Sequence, residues 1–449
     1  MIEPARAEYR VGIATADITP PVGAPLAGFA ARAQHTSTGV DHALRAVTTV
    51  IDDGRTDLLI VSLEWLGCYD QAPRLRRALA ERTGIAEQRI LLSASHTHCG
   101  PAIREADYAE HGWIDEHYLD SAIQKIARAA GIAARHRYPA VLRWGVGECS
   151  IAMNRRRPDP DRPGRVFDAM LPYPDGITDH EVGVITVESA ADGMLRGIMI
   201  NYACHPTSRS GLRIGGDYVG FAYDRLEQAF PYAQPLFLQG CAGDQKPRPH
   251  QAGADVFGTR TVDQVRELGN ELGAAVEAVI NSGLEPVTGP LNIDSGIEVL
   301  RTEPVTRATL EAERQRPTAP FRRYWAEVLL DRLDRGVPDL DRVPFEVQTV
   351  ALGASVAMIA MAGEMTVEHG LRLKRDHGER FGAVFPLGYA NGMIGYVPVA
   401  RQFEEYGYEV LDSNQRHLRT GRYLPGTEDQ LHDRIGRMLA PAGAPARTR

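Results

Sequence analysis

The chain has 449 residues, of which 43% are hydrophobic and 24% are charged, proportions typical of a globular protein with a large buried core. Its 50 basic and 58 acidic residues give a net charge of −8 and are mixed along the chain, which argues against a nucleic-acid-binding protein. No stretch approaches the ~18 uncharged apolar residues of a membrane span.

Short apolar runs rich in β-branched residues alternate with helical patterns along the chain. The runs that predict strands cover 57–64, 89–95, 196–204, 234–240, 355–363 and 382–390. The patterns with helical spacing cover 71–84, 118–136, 220–230, 261–280 and 308–336, the last interrupted by Pro317 and Pro320. Such alternation predicts a layered α/β fold in which mixed β-sheets are covered by α-helices.

Several predicted strands end in a polar side chain that could bind a metal or transfer a proton. The residues in these positions, in chain order, are His96, His98, His205, Asp244, Glu364 and Tyr396. Glycines that permit tight turns lie beside most of them. The simplest interpretation is that they converge at one edge of a sheet, because ligands bind where strand ends meet.

Each of these residues also has an ordinary structural explanation. Alternation along a strand would place His96 and His98 on the same side, but a pair of capped histidines would look the same. Glu364 has the position of a carboxylate at a helix N-terminus, and Tyr396 could be a core residue. Together, however, they offer the nitrogen and oxygen donors that zinc accepts, which predicts a metal site at the strand ends.

The chain resembles the neutral/alkaline ceramidase family of zinc-dependent amidohydrolases. The matching motifs include VGIATADITPPVGAPLAGFAAR, LLSASHTHCGPA, NYACHPTS, FLQGCAGDQKP, GEMTVEHGLRLK and NGMIGYVPVARQFEEYGYEV, in the family's order. The resemblance implies one catalytic domain over residues 1–435, without the C-terminal β-sandwich domain of long ceramidases. We predict a disordered tail at 436–449, from APAGAPARTR.

The resemblance also implies a site with one zinc ion per chain. It gives four metal ligands, namely His96, His205, Glu364 and Tyr396. His98 then handles protons or contacts the substrate, Arg155 lies on the substrate side, and Tyr408 polarises the scissile carbonyl. Zinc would lower the pKa of a bound water from ~15.7 towards ~7, so the implied reaction is hydrolysis. An oxygen-rich set with two imidazoles also tolerates manganese or iron.

The chain departs from the family at one position in this site. Lipid-cleaving ceramidases carry the motif GDxSP, whereas this chain reads GDQKP, which places Lys246 at the serine position. A lysine cation favours an anionic group, so we expect a small polar, anionic substrate rather than ceramide. Asp244 remains, and we expect it to orient a ligand histidine or to pair with Lys246. A salt bridge between the two residues is the alternative to substrate recognition.

Three functional classes remain open from the sequence. The first is a zinc hydrolase that cleaves an amide, lactone or ester bond of a small-molecule substrate, and we favour it. The second is a metal-dependent lyase or isomerase acting on a carbonyl compound, and the third is a non-catalytic metal-binding homologue. No pattern in the sequence specifies an oligomeric state.

Two further features bear on cellular location. The first residues, MIEPARAEYR, lack the apolar segment of a secretion signal, and the five cysteines form no CxxC pair. We therefore expect a cytoplasmic protein with reduced thiols. Cys99, Cys204 and Cys241 lie beside site motifs, and we interpret them as small buried packing residues.

Overall fold

The computed structural model describes residues 8–32, 35–104, 113–316 and 320–440. The strands are β1 Tyr9–Asp17, β2 Gly39–Val40, β3 Arg45–Asp52, β4 Asp57–Leu63, β5 Ile90–Ala94, β6 Tyr138–Glu148, β7 Ala152–Asn154, β8 Glu181–Ser189, β9 Leu195–Tyr202, β10 Arg213–Ile214, β11 Gln234–Gln239, β12 Gln245–Pro247, β13 Glu285–Pro286, β14 Leu291–Arg301, β15 Arg342–Leu352, β16 Val356–Met361, β17 Glu364–Met365, β18 Ala383–Leu387 and β19 Tyr396–Val397.

The α-helices of the described residues are α1 Ala72–Thr83, α2 Glu116–Arg135, α3 Asp217–Ala229, α4 Val262–Asn281, α5 Arg307–Arg314, α6 Pro320–Asp334, α7 Val367–His377, α8 Gln402–Glu405, α9 Asp412–Arg416 and α10 Thr427–Leu439. Among these described helices, none has both the length and the apolar character needed to cross a bilayer.

Two β-sheets form the centre of the fold. The larger has nine strands, with β11-β9-β8-β6-β1-β3-β4-β5 in order and β13 paired to β6. The smaller has the order β14-β15-β16-β18. Both sheets contain antiparallel and parallel pairs. The parallel pairs are β4 with β5, β9 with β11 and β16 with β18. Buried side chains of both sheets share one hydrophobic cluster, so the sheets pack face to face.

Helices cover the outer faces of both sheets. Helices α1 and α2 bury apolar side chains against β3, β4 and β5, while α3 and α4 share a cluster with β8 and β9. Helices α7 and α10 cover the smaller sheet. The predicted layered α/β class with mixed sheets is therefore confirmed.

The last described helix crosses the boundary that we predicted for the tail. Helix α10 continues to Leu439, which is buried in the core cluster beneath the smaller sheet. The amphipathic run QLHDRIGRML explains this, because its apolar residues recur at helical spacing and meet that sheet. Residues 441–449 of the predicted tail lie outside the described residues.

Asn391 joins the two sheets beside the strand ends. Its backbone N–H and its side-chain Oδ1 both pair with Leu92 of β5, at 2.8 and 3.1 Å. Its Nδ2 donates to Glu346 Oε1 and Gln348 Oε1 of β15, at 3.1 and 3.3 Å. The side chain is fully buried and its φ is +52°, a conformation that asparagine tolerates better than most residues. One side chain thus fixes the position of β5 relative to β15.

We predict that Asn391→Ala destabilises the protein by about 2–3 kcal/mol, because it leaves the buried N–H of Leu92 without its acceptor and places alanine at positive φ. Urea unfolding followed by circular dichroism measures this loss. Asn292→Ala, at an exposed position of β14, is the control and should change stability by less than about 0.5 kcal/mol. Equal stability of the two variants would contradict the role of Asn391.

Candidate metal and active site

The two histidines of LLSASHTHCG lie in a turn and not on the strand. Strand β5 ends at Ala94, and His96 has a φ of +65°. The expected alternation along a strand is therefore wrong as the reason for their proximity. The imidazoles do converge, with 3.1 Å between His96 Nε2 and His98 Nε2, because the left-handed residue turns the chain back on itself.

Backbone carbonyls fix the tautomers of His96 and His205. His96 Nδ1 lies 2.5 Å from the carbonyl oxygen of Leu66. His205 Nδ1 lies 2.5 Å from that of Ala242 and 2.9 Å from that of Gln245. A carbonyl can only accept, so each Nδ1 carries a proton, and in the neutral form of each ring Nε2 offers a lone pair.

Strand pairing places Glu364 beside Tyr396. The two are register partners in the parallel pair of β17 with β19. Glu364 Oε2 lies 3.3 Å from His96 Nε2 and 3.4 Å from His205 Nε2. The hydroxyl of Tyr396 lies 3.3 Å from His205 Nε2. The four residues that the sequence predicted as ligands therefore meet around one point, and all four are buried.

The charges of these groups favour a cation at that point. Burial would raise the pKa of Glu364, but His96 and His205 outweigh it and hold that pKa well below its usual range. Burial and the nearby Arg155 lower the pKa of His205 to about 3. At neutral pH an ionised carboxylate thus faces the neutral ring of His205, and a metal ion would stabilise this pair of electron-pair donors.

The spacing of the donors also fits zinc. Ligand atoms at zinc distances in a tetrahedron lie roughly 3.3–3.6 Å apart. The separations of 3.3, 3.4 and 3.3 Å given above for the predicted ligands match this value. The residues present therefore fit the metal that the family resemblance implies.

His98 lies close enough to act either as a ligand or as a proton carrier. With His96 and His205 it forms a group whose possible ligand atoms lie within 4.8 Å of one another. Burial, followed by the neighbouring His96 and His205, lowers the pKa of His98 well below its ordinary value, so the ring is neutral. Its Nδ1 is buried and has no hydrogen-bond partner among the described residues.

A buried ion-pair network orients Arg155. Its Nε donates to Glu409 Oε1 at 2.9 Å, and its Nη2 donates to the hydroxyl of Tyr396 at 3.0 Å. Arg156 Nη1 donates to the other carboxylate oxygen of Glu409 at 2.6 Å. The ring of Tyr408 contacts that of Tyr396 edge to face, with 5.5 Å between centroids. Arg155 and Tyr408 thus both lie beside the predicted ligands.

Asp244 is buried next to the site, with structural partners. Its Oδ1 accepts from the backbone N–H of Val367 at 2.8 Å, and its Oδ2 accepts from Gln402 Nε2 at 3.2 Å. His205, as described above, is oriented by backbone carbonyls instead. The expectation that Asp244 orients a ligand histidine is therefore wrong. Carbonyl oxygens of the Ala242–Gln245 turn accept the hydrogen bond from His205 Nδ1 instead.

Lys246 lies in the strand pair of β12 with β7, opposite Met153. Its ammonium lies 4.9 Å from the centre of the Phe257 ring. No carboxylate of the described residues lies within 4 Å of it, so the alternative of a salt bridge with Asp244 is not observed there. Burial, followed by Arg155, lowers the pKa of Lys246 to about 8. A half-buried cation thus lies near Arg155 with an aromatic ring as its neighbour.

The three cysteines near the site are buried free thiols. Burial raises the pKa of Cys99 to about 11, and it raises the pKa of Cys204 further above its usual value. Protonated thiols are poor ligands and nucleophiles. The interpretation of these cysteines as packing residues therefore agrees with the structure.

Sequence reasoning missed three residues of this region, namely Tyr389, Glu409 and His417. Tyr389 packs on His96, with 4.2 Å between ring centroids. His417 Nε2 lies 3.8 Å from Glu364 Oε1. Tyr389 lies near the end of the predicted strand 382–390 and could have been considered with the other polar residues at strand ends, whereas Glu409 and His417 have no such signal.

Comparison with known proteins identifies the family. The family model of the neutral/alkaline non-lysosomal ceramidase N-terminal domain matches residues 9–252, so the chain belongs to this family. The members of this family are hydrolases that cleave amide bonds. A search of curated proteins gave no match.

Two solved structures share the fold. One, described as ceramidase complexed with C2, has a TM-score of 0.74 and 20% identity, and the alignment covers 98% of this chain and 76% of that one. The other, neutral ceramidase from Pseudomonas aeruginosa, has a TM-score of 0.72 and 21% identity, with 98% and 77% covered. The predicted fold resemblance is therefore confirmed.

We predict that the purified protein binds about one equivalent of zinc per chain, and that His205→Ala loses it, because His205 Nε2 lies among all the predicted donors. Elemental analysis after gel filtration measures the metal content. His180→Ala, which removes an exposed imidazole, should retain the metal. Full retention by a His96→Ala, His205→Ala double variant would exclude this site.

Proposed function

We propose that the protein is a zinc-dependent hydrolase that cleaves an amide bond, or a lactone or ester bond, of a small polar, anionic substrate. One observation carries the proposal: the lone pairs of His96 and His205, the carboxylate of Glu364 and the hydroxyl of Tyr396 converge at zinc-ligand spacing. Family membership supports hydrolysis as the reaction. One zinc ion per chain would be held by these four residues.

Bound zinc would supply a Lewis acid that makes water nucleophilic at neutral pH. The chain's own residues would then handle the proton and the developing charge. His98 is neutral, lies 3.1 Å from His96 through its Nε2 and is only partly exposed. It can accept the proton of the attacking water and return it to the leaving group.

Arg155 and Tyr408 would stabilise negative charge on the substrate carbonyl oxygen. Glu409 holds the Arg155 guanidinium at 2.9 Å, and the Arg155 contact with Tyr396 directs it towards the predicted ligands. A cation fixed in place before the reaction stabilises an oxyanion without having to reorganise. Tyr408, in ring contact with Tyr396, can donate its hydroxyl to the same oxygen.

Lys246 would select the substrate. Its ammonium lies beside Phe257, and the carboxylate nearest in sequence, Asp244, is occupied by Val367 and Gln402. This half-buried ammonium has only the longer-range attraction of Asp217 as a counter-charge, and a carboxylate of the substrate would neutralise it at close range. The acyl chains of ceramide would leave it unpaired, which supports a polar substrate.

A cytoplasmic location is part of this proposal. All five cysteines are unpaired and buried, which suits a reducing compartment.

The reaction is tested in ¹⁸O-labelled water with a panel of N-acyl amino acids, lactones and short esters. Hydrolysis places one labelled oxygen in the acid product, whereas a lyase or isomerase reaction places none.

We expect His98→Ala and Tyr408→Phe each to lower kcat by ~10²-fold or more with zinc still bound. Tyr232→Phe, at an exposed position, is the control. Loss of zinc in His98→Ala would make His98 a ligand, and full turnover of both variants would contradict the proposed roles.

Substrate selection is tested by comparing an N-acyl amino acid with its neutral carboxamide analogue. Loss of a charge-assisted contact in Lys246→Met should reduce the preference for the anion by roughly 10–100-fold, mainly through KM. Because the pKa of Lys246 lies at about 8, the wild-type preference should be full at pH 6–7 and fall as pH rises through about 8.

Lys246→Arg is the matched control, because arginine stays charged over this range and should remove the decline. An equal preference in wild type and Lys246→Met, or efficient hydrolysis of ceramide by the wild-type protein, would contradict anion selection.

A further inference from the structure

Tyr389 packs against two histidines of the candidate metal site, although no sequence pattern assigned it there. It is the second residue after β18, is fully buried, and packs its ring on His96 with 4.2 Å between centroids. Its ring also meets His205 edge to face, at 5.6 Å. It therefore contacts both histidines that the proposed zinc ion would join.

The backbone holds Tyr389 in an unusual conformation. Its φ is +54°, which is rare for a bulky side chain and is concentrated at functional sites. Its N–H donates to the carbonyl oxygen of Gly363 at 2.9 Å, and its own carbonyl accepts from the N–H of Ala94 at 3.3 Å. Gly363 precedes Glu364 and Ala94 lies two residues before His96. The residues that fix Tyr389 are thus neighbours of two predicted ligands.

The hydroxyl oxygens of Tyr389 and Tyr396 lie at nearly the same distance from His205 Nε2. The Tyr389 oxygen lies 3.4 Å from this atom, against 3.3 Å for Tyr396. Because Nδ1 of His205 carries the proton, Nε2 has one lone pair, which cannot accept a good hydrogen bond from both hydroxyls. Tyr396 has a second partner in Arg155 at 3.0 Å. Two hydroxyl oxygens therefore face one point at ligand spacing.

We propose that the hydroxyl oxygen of Tyr389 is a further ligand of the metal centre, in addition to Tyr396. The inference rests on the proposed metal-dependent function and extends its donor set. Two tyrosine oxygens, one carboxylate and two imidazoles make an oxygen-rich, five-donor centre. Such a set accommodates a higher coordination number than the four-donor centre that the family resemblance implies.

The experiment compares metal affinity in Tyr389→Phe and wild-type protein. Zn²⁺ dissociation constants are measured by competition with a chromophoric chelator, and Co²⁺-loaded protein gives a visible spectrum whose intensity reports coordination number. We expect Tyr389→Phe to weaken Zn²⁺ binding by ~10–100-fold and to intensify the Co²⁺ bands as a ligand is lost. Phenylalanine keeps the ring contact with His96, so packing is retained.

Tyr423→Phe is the matched control. Tyr423 is also buried, its hydroxyl has no hydrogen-bond partner among the described residues, and it belongs to a separate core cluster. The control should keep wild-type metal affinity and the wild-type Co²⁺ spectrum. The metal-free forms of both variants should unfold within a few degrees of the wild-type protein, which separates ligand loss from misfolding.

The outcomes separate the two levels of the proposal. A wild-type protein that binds no zinc overturns the proposed function and this inference with it. A wild-type protein that binds zinc, with Tyr389→Phe unchanged in affinity and Co²⁺ spectrum, overturns only the role of Tyr389. An additive loss of affinity in the Tyr389→Phe, Tyr396→Phe double variant supports two independent hydroxyl ligands.

Discussion

Hydrogen bonds from the Nδ1 atoms of two imidazoles to backbone carbonyl oxygens determine what the candidate site can do. They hold His96 against Leu66 and His205 against Ala242 and Gln245, and they direct both Nε2 atoms at Glu364. With the opposite tautomers, the rings would present N–H groups and the point between them would suit an anion instead. The set of donors that the site offers to a metal ion therefore depends on two turns of the backbone as much as on the identity of its side chains.

The charges around this point are arranged in two ways. Arg155 and Arg156 share the buried carboxylate of Glu409, and Arg156 also pairs with Glu405, so both cations are held in fixed positions. Removing one partner from such a network leaves an uncompensated buried charge, which is strongly destabilising. Lys246 differs, because among the described residues no carboxylate lies within 4 Å of its ammonium. The proposed role of Lys246 in binding an anionic substrate rests on this difference.

Much of the fold and the site was predictable because short-range patterns determine them. The six apolar runs match β4, β5, β9, β11, β16 and β18, whereas the other long strands, β1, β3, β6, β8, β14 and β15, were not predicted. The polar residues that follow such runs, His205 and Glu364, were expected to converge, and they do lie close together. The proximity of His96 to His98 was predicted for the wrong reason, because a left-handed residue is not visible in the alternation of side chains. Glu409, His417 and Asn391 could not be found at all, since each acts through a partner distant in sequence.

Gly28 has a role that extends beyond its own turn. Its φ is +99°, and a Cβ at this position would lie 2.5 Å from His98 Nδ1. Any larger residue would have to displace the imidazole that we assign to proton transfer. Substitutions of Gly28 are therefore expected to be rejected because of their effect on His98, which lies seventy positions later in the sequence. A library that varies the loop around Gly28 to change substrate specificity should therefore keep glycine at this position.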